Sequence, residues 1–370
     1  MKFRDWFIIN KRVLILIIIG LVLEEMLVSS LIAARFSHPE TQKLPAYDEA
    51  SLTLWVEQIE KAKGYKVVVL GDSVVHGDDV ADTDTLPIYI SREFELLCPN
   101  KQIKVFNMGM AGASPAEVYF LLNGLEEAGA DLFIYDINLG WFSRKETLEH
   151  QSVLHLNNSL NEQELLSLGI EPLKTLASPA EEWLEDHLFS HWNFLQYRLL
   201  LNYWLFGQPL RQQLEEALEN SVILGLGAED RGDDEVEMRA PWKEKDWEGQ
   251  LDPAGGRVGD VYLSEHNAQW ILYQRLTERV KSNKLSMIFF VTPRNYELLD
   301  RYDMVDRKAY QDNLSVVIKE AEDNGIPVLN YDNAIPNHLF VDTIHPLAEG
   351  NQILAHILVE DIIDQELVKR

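Results

Sequence analysis

The stretch Lys66-Val67-Val68-Val69-Leu70-Gly71-Asp72-Ser73-Val74-Val75-His76-Gly77 decides how this chain is read. Apolar, mostly β-branched residues run without alternation into Gly-Asp-Ser. Such a run fits a strand buried on both faces, as at the centre of a parallel sheet. Gly71 allows a tight turn. Ser73 then stands at the strand's carboxyl end, where open α/β sheets carry their chemistry. A serine hydroxyl is a poor nucleophile until a base takes its proton, so the chain must also supply a histidine and a carboxylate that orients it. Both occur near the other end, in Val341-Asp342-Thr343-Ile344-His345-Pro346.

These two stretches together resemble the SGNH (GDSL) hydrolase superfamily. Gly71-Asp72-Ser73 followed by Gly77 matches its first block, and Asp342-x-x-His345 its last. The resemblance covers about residues 65–142 and 285–366. It implies a three-layer α/β domain whose parallel sheet has flavodoxin-like winding. It also implies a triad of Ser73, His345 and Asp342, with no metal and no other cofactor. In Asn107–Ser114, which resembles the second block, Gly109 corresponds to the glycine whose N–H joins that of Ser73 in an oxyanion hole. The third block, Gly-x-Asn-Asp, is matched less well. Asn138 stands in the place of the amide donor, but Asp136 replaces the glycine and Leu139 the aspartate. An asparagine that merely closes a turn is the alternative for Asn138. Asp72, His76 and Arg294 are candidate substrate contacts.

Periodicity and punctuation give the remaining elements. Strands are expected at 103–108, 132–137, 285–291 and 327–330, and helices at 47–63, 88–97, 115–125, 266–282 and 306–324. Ser114-Pro115 reads as a cap followed by the first helical position. Asp342 and His345 are spaced by one helical turn, so their side chains can meet. Pro346 suits the start of a last helix carrying Ile353, Leu354, Ile357, Leu358 and Ile362.

The organisation expected is 1–36, cytoplasmic flank and anchor; 37–64, linker and leading helix; 65–142, first part of the SGNH domain; 143–284, helical insertion; 285–370, second part. Within the insertion, Trp183–Phe206 is dense in aromatic residues, Trp192 and Trp204 among them. It reads either as a lid that builds an acyl or glycan pocket, or as a well-buried helix. His187 and His191 have a helical metal spacing, but Leu188 stands where a zinc protease has Glu, and no metal is expected. The acidic stretch Ala228–Asp252 reads as an exposed, mobile loop.

The formal charge of −27 over 370 residues excludes a nucleic-acid partner, since no basic stripe meets a phosphate backbone. A single cysteine, Cys98, excludes an internal disulfide. Lys2, Arg4, Lys11 and Arg12 precede the apolar Val13–Ala34, long enough to span a bilayer, for which about 20 residues suffice. The basic flank belongs on the cytoplasmic side, which places the rest outside it. A cleaved signal peptide is the rival. Glu24 and Glu25 interrupt the run near its middle, and intramembrane carboxylates face a partner or a cavity; a sliding span or a cleaved segment would instead leave both at an interface.

The expected function is ester chemistry on cell-surface or exported polysaccharide outside a bacterial cytoplasm, by acyl transfer or hydrolysis through an acyl-Ser73 intermediate. The layout is similar to anchored SGNH proteins that work beside multi-spanning membrane-bound O-acyltransferases. A free-standing esterase or lipase, and a non-catalytic glycan-binding or scaffold protein, are the alternatives.

Overall fold

The computed structural model describes residues 11–144, 147–171, 192–206, 240–251, 253 and 256–368. The chain divides into two compact units, Met1–His38 with Lys174–Leu224, and Pro39–Leu173 with Gly225–Arg370.

The larger unit is built on five parallel strands, β1 (Tyr65–Gly71), β2 (Ile103–Gly109), β3 (Leu132–Ile137), β4 (Met287–Val291) and β5 (Val328–Asn330). Their order is β2-β1-β3-β4-β5, the flavodoxin-like winding expected. Successive strand residues point to opposite faces, and both faces are covered. Val67, Val69, Leu132, Ile134, Ile288 and Phe290 join one cluster with Ile90 and Phe94, and with Leu354, Leu358 and Ile362. On the other face, the Phe289 ring meets those of Tyr135 and Tyr273. Burying each such side chain contributes about 1.5–3 kcal/mol over leaving it in water.

In chain order the helices are α1 (Lys11–Phe36), α2 (Glu49–Lys61), α3 (Ser73–His76), α4 (Leu86–Leu97), α5 (Pro115–Glu127), α6 (Glu162–Ser167), α7 (Asn193–Gln196), α8 (Arg198–Phe206), α9 (Ala268–Asn283), α10 (Tyr296–Arg301), α11 (Arg307–Asp323) and α12 (Ala348–Asp364). Several of their starts follow from side-chain caps. Ser114 and Glu117 form a capping box at α5, while Asn267 and Asp306 accept the N–H groups of Trp270 and Ala309.

Four expectations are corrected. Helix α9 lies within the stretch read as an insertion, yet it packs on α5 as a layer of the sheet domain. The acidic stretch re-enters the core at Trp242, which is fully buried with its indole N–H on the Asn337 carbonyl at 2.7 Å. Asp342 and His345 lie in a bent loop rather than a helix. Helix α12 starts at Ala348, because Pro346 is taken up in an antiparallel bridge with Phe340. His187, His191, Trp183 and the acidic residues up to 239 lie outside the described residues.

In the smaller unit, α1 is long and apolar enough to cross a membrane, with a mean hydropathy of 2.4 in its most apolar window. It packs against α7.

Candidate active site

Strand β1 delivers Ser73 at the point where the connections of β1 and β3 diverge, which is where this winding leaves a crevice. Asp72 caps the turn, its Oδ1 accepting the N–H of Val74 at 2.8 Å. Gly77 ends it with φ of 87°, a left-handed conformation that glycine adopts without penalty. The turn sits close against its neighbours. A Cβ on Gly71 would lie 2.5 Å from Val75 Cγ2 and 2.8 Å from the Asp136 Cβ. A Cβ on Gly109 would lie 2.4 Å from the backbone nitrogen of His76. Glycine at 109 is therefore a packing requirement of the serine turn, whatever else its N–H does.

The histidine arrives on a loop closed at its base by the Phe340–Pro346 bridge and by Val341 N–H donating to the His345 carbonyl at 2.8 Å. Asn295 pins the loop's tip: its backbone N–H donates to Thr343 O at 3.0 Å and its side-chain amide to Asp342 O at 2.9 Å. Inside the loop, Asp342 Oδ1 accepts the N–H groups of Ile344 and His345, each at 2.8 Å. This side-chain turn does what one turn of helix was expected to do. The other carboxylate oxygen, Oδ2, meets His345 Nδ1 at 2.7 Å, and His345 Nε2 lies 2.8 Å from Ser73 Oγ.

A second carboxylate reaches the same ring. Asp79 Oδ2 is 3.1 Å from His345 Nδ1. Burial alone would lower the imidazole's affinity for a proton, but Asp342 first, and then Asp79 and Asp72, raise its pKa to about 9. Burial likewise works to raise the Asp342 carboxyl, yet the imidazolium and the loop N–H groups hold it below the usual range. For Asp79 burial prevails, and its pKa is raised despite His345. The three side chains place ligand atoms within 4.8 Å of one another. With Nδ1–H donating to Asp342 Oδ2, the ring has no lone pair on that side for a cation.

Behind the serine runs a buried polar chain. Asn138 Nδ2 donates to Asp72 Oδ2 at 2.6 Å, and Asn138 Oδ1 accepts from Gly140 N–H at 3.0 Å and Arg294 Nη2 at 2.7 Å. These partners fix which end of the amide is which and leave Nδ2 one further hydrogen to donate. Trp141 also gives its indole N–H to Asp72 Oδ2. Arg294 Nε donates to Tyr310 Oη at 3.2 Å, and Tyr310 to Asp332 at 3.1 Å. The Gly109 N–H donates to Asn107 Oδ1 at 3.0 Å.

This geometry relocates several candidate substrate contacts. Asp72 and Arg294 are 1% and 4% exposed, and both are engaged in the buried chain rather than facing a ligand. Both nitrogens of His76 are engaged, Nδ1 by Asp78 and Nε2 by the Leu44 carbonyl. Trp192 belongs to the smaller unit and gives its indole N–H to Glu24. Trp204 lies in α8, with its side chain outside the described residues. Asp136, where the family pattern has glycine, is buried, accepts the Thr292 hydroxyl and has its pKa pushed well up by burial.

Sequence reasoning missed Asp79, Trp141 and Asn295. Asp79 follows Ser73 by six residues but merges into the acidic run 78–84, which reads as solvated surface. Asn295 also caps α10 by accepting the Leu298 N–H.

No protein-family model matches the sequence, and no curated protein matches it. Among solved structures the chain is similar to Axe2, an acetylxylan esterase from Geobacillus stearothermophilus, at 14% identity over 81% of this chain and 95% of that one, with a TM-score of 0.39. It is also similar to LAE5, an alpha/beta hydrolase enzyme from the metagenome of Lake Arreo, at 14% identity over 84% and 100%, with a TM-score of 0.37. Neither likeness bears on activity.

Proposed function

We propose that the chain is a membrane-anchored serine esterase or O-acyltransferase of the SGNH type, acting on acyl esters of carbohydrate outside the cytoplasm. The observation that carries this reading is the line Ser73 Oγ–His345 Nε2–Nδ1–Asp342, at 2.8 and 2.7 Å. In that arrangement neutral His345 takes the hydroxyl proton as Ser73 Oγ bonds to the ester carbonyl carbon. The carbonyl π electrons move to oxygen, and the Ser73 N–H and an Asn138 amide hydrogen stabilise the oxyanion. Gly109 N–H joins them once it leaves Asn107. His345 then protonates the leaving alcohol as the C–O bond breaks, leaving acyl-Ser73. Water or a sugar hydroxyl takes the acyl group, giving its own proton to His345.

The larger unit also carries a cavity of about 820 Å³ lined by Phe142, Arg144, Asp260, Ser264 and Asn267, a lining that does not include Ser73, His345 or Asp342. Mixed aromatic, charged and amide groups of this kind suit a polyhydroxylated ligand better than an acyl chain. A multi-spanning O-acyltransferase is the partner that would supply acyl groups. Water at about 55 M outcompetes a sugar that is not held in attack geometry. The test therefore supplies an activated acetyl ester with and without oligosaccharide. Transfer predicts acetylated sugar at the expense of free acetate. Free acetate alone, whatever sugar is offered, makes the protein a hydrolase. No turnover with either, and no acyl-Ser73, would refute the enzyme reading.

A further inference from the structure

Glu24 and Glu25 sit eleven and twelve residues beyond Val13, the start of the apolar run. At 1.5 Å per residue that is about 17 Å along α1, close to the middle of a hydrocarbon layer about 30 Å thick. Carboxylates at such a depth are costly unless they face protein or water. Here both face this same chain. Trp192 Nε1 donates to Glu24 Oε2 at 2.7 Å, the backbone N–H of Asn193 donates to Glu25 Oε2 at 3.1 Å, and Asn193 Nδ2 donates to Ser29 Oγ at 2.8 Å. These three bonds fix the start of α7 opposite residues 24–29 of α1.

The chain beyond Asn193 is rich in large apolar side chains. Residues 194–206 read Phe-Leu-Gln-Tyr-Arg-Leu-Leu-Leu-Asn-Tyr-Trp-Leu-Phe, with Arg198 the sole charged residue. That charge is opposite to the two carboxylates, and its guanidinium donates to the Leu195 carbonyl at 2.9 Å, satisfying a carbonyl at the end of α7. Leu200 and Leu201 are buried, while Phe194 and Leu199 present 44% and 45% of their surface outward, alongside Leu23, Met26 and Leu27 of α1 at about 60%.

We infer that residues 192–206 enter the bilayer beside α1 as a second membrane-embedded element, clamped at mid-depth by Glu24, Glu25 and Ser29, with lipid hydrocarbon as the occupant facing Phe194 and Leu199. The inference rests on α1 spanning the membrane and is independent of the esterase chemistry. It explains why two acids persist in the span: they accept N–H groups that hydrocarbon would leave unsatisfied. It also assigns Trp192 to membrane docking.

Cysteine accessibility of the full chain in lipid vesicles tests it. In a Cys98→Ser background, single cysteines replace Leu16, Phe194, Leu199 or Tyr262, and a membrane-impermeant maleimide is added before and after detergent. Tyr262, 85% exposed in the larger unit, is the aqueous control, and Leu16 the bilayer control. Phe194→Cys and Leu199→Cys are expected to follow Leu16→Cys, protected at least tenfold until detergent is added. Labelling as fast as Tyr262→Cys overturns the inference. Free labelling of Leu16→Cys would instead refute α1 as a span. Adding Glu24→Leu with Glu25→Leu should release the segment and raise Phe194→Cys labelling. Unchanged protection would overturn the clamp.

Discussion

Asp79 Oδ2 lies 3.1 Å from Nδ1 of His345, the nitrogen that Asp342 already meets at 2.7 Å. One imidazole N–H thus faces two carboxylates, and the imidazolium is favoured over the neutral ring that must accept the Ser73 proton. This pair of acids raises the pH at which neutral His345 becomes available to Ser73.

The imidazole is raised to about 9, so the neutral base accumulates only as pH rises through that value. The rising limb of kcat/KM against pH is expected to have its midpoint near 9. Asp79→Asn removes the nearer of the added negative charges and should move that midpoint down by about one unit. Asp78, Asp72 and Lys245 also act on this cluster and are unchanged by the substitution. Following the His345 ring protons by NMR gives the same titration without substrate, and an unmoved midpoint would contradict the assignment.

Stability should run opposite to activity. Because the folded-state pKa lies above the unfolded value near 6.5, His345 contributes stability that is full below about 6.5 and lost as pH climbs through 9. Asp342, held below its ordinary pKa, contributes above that range and loses its share as pH falls below about 4. Thermal unfolding from pH 6.5 to 9.5 should show Tm falling for the wild type, and falling less for Asp342→Asn.

Much of this was legible in the sequence, and the parts that were not share a cause. The unbroken run Val67–Leu70 pointed to a doubly covered strand, and Ser114-Pro115 to a helix start, because each signal is local. Ser73, Asp342 and His345, which the structure brings into one hydrogen-bonded line, were singled out because their chemistry demands partners. Asp72 and Arg294 were misplaced on the substrate because sequence does not reveal burial, and a buried acid and base bonded through one asparagine look like any exposed pair. Trp242 was lost among acidic neighbours for the same reason. Asp342 and His345 meet through a side-chain turn rather than a helix, since spacing of three residues fits both.

The buried chain behind the serine should act on rate more than on binding. Arg294→Met removes the donor to Asn138 Oδ1 and the bond to Tyr310, at a cost of roughly 1–3 kcal/mol in unfolding free energy. Asn138→Ala should lower kcat about 10²–10³-fold, as the loss of an oxyanion donor does, and also cost roughly 1–3 kcal/mol in unfolding free energy because Asp72 and Arg294 lose a buried partner. If Asn138 merely closes a turn, kcat will stay within a few-fold while stability falls.

Gly109→Ala places a methyl 2.4 Å from the His76 backbone nitrogen, and the serine turn cannot yield without moving Ser73. A loss of about 1–3 kcal/mol in unfolding free energy is expected, as for other overpacked sites. Unchanged stability would show that the turn has slack.

The central claim is that Ser73 is the nucleophile, and intact-protein mass spectrometry after reaction with a fluorophosphonate tests it most directly. A single adduct is expected, mapping to Ser73 on proteolysis, absent from Ser73→Ala and slowed by orders of magnitude in His345→Ala. Adduct of the same stoichiometry on Ser73→Ala, or on a different residue of the wild type, would contradict it.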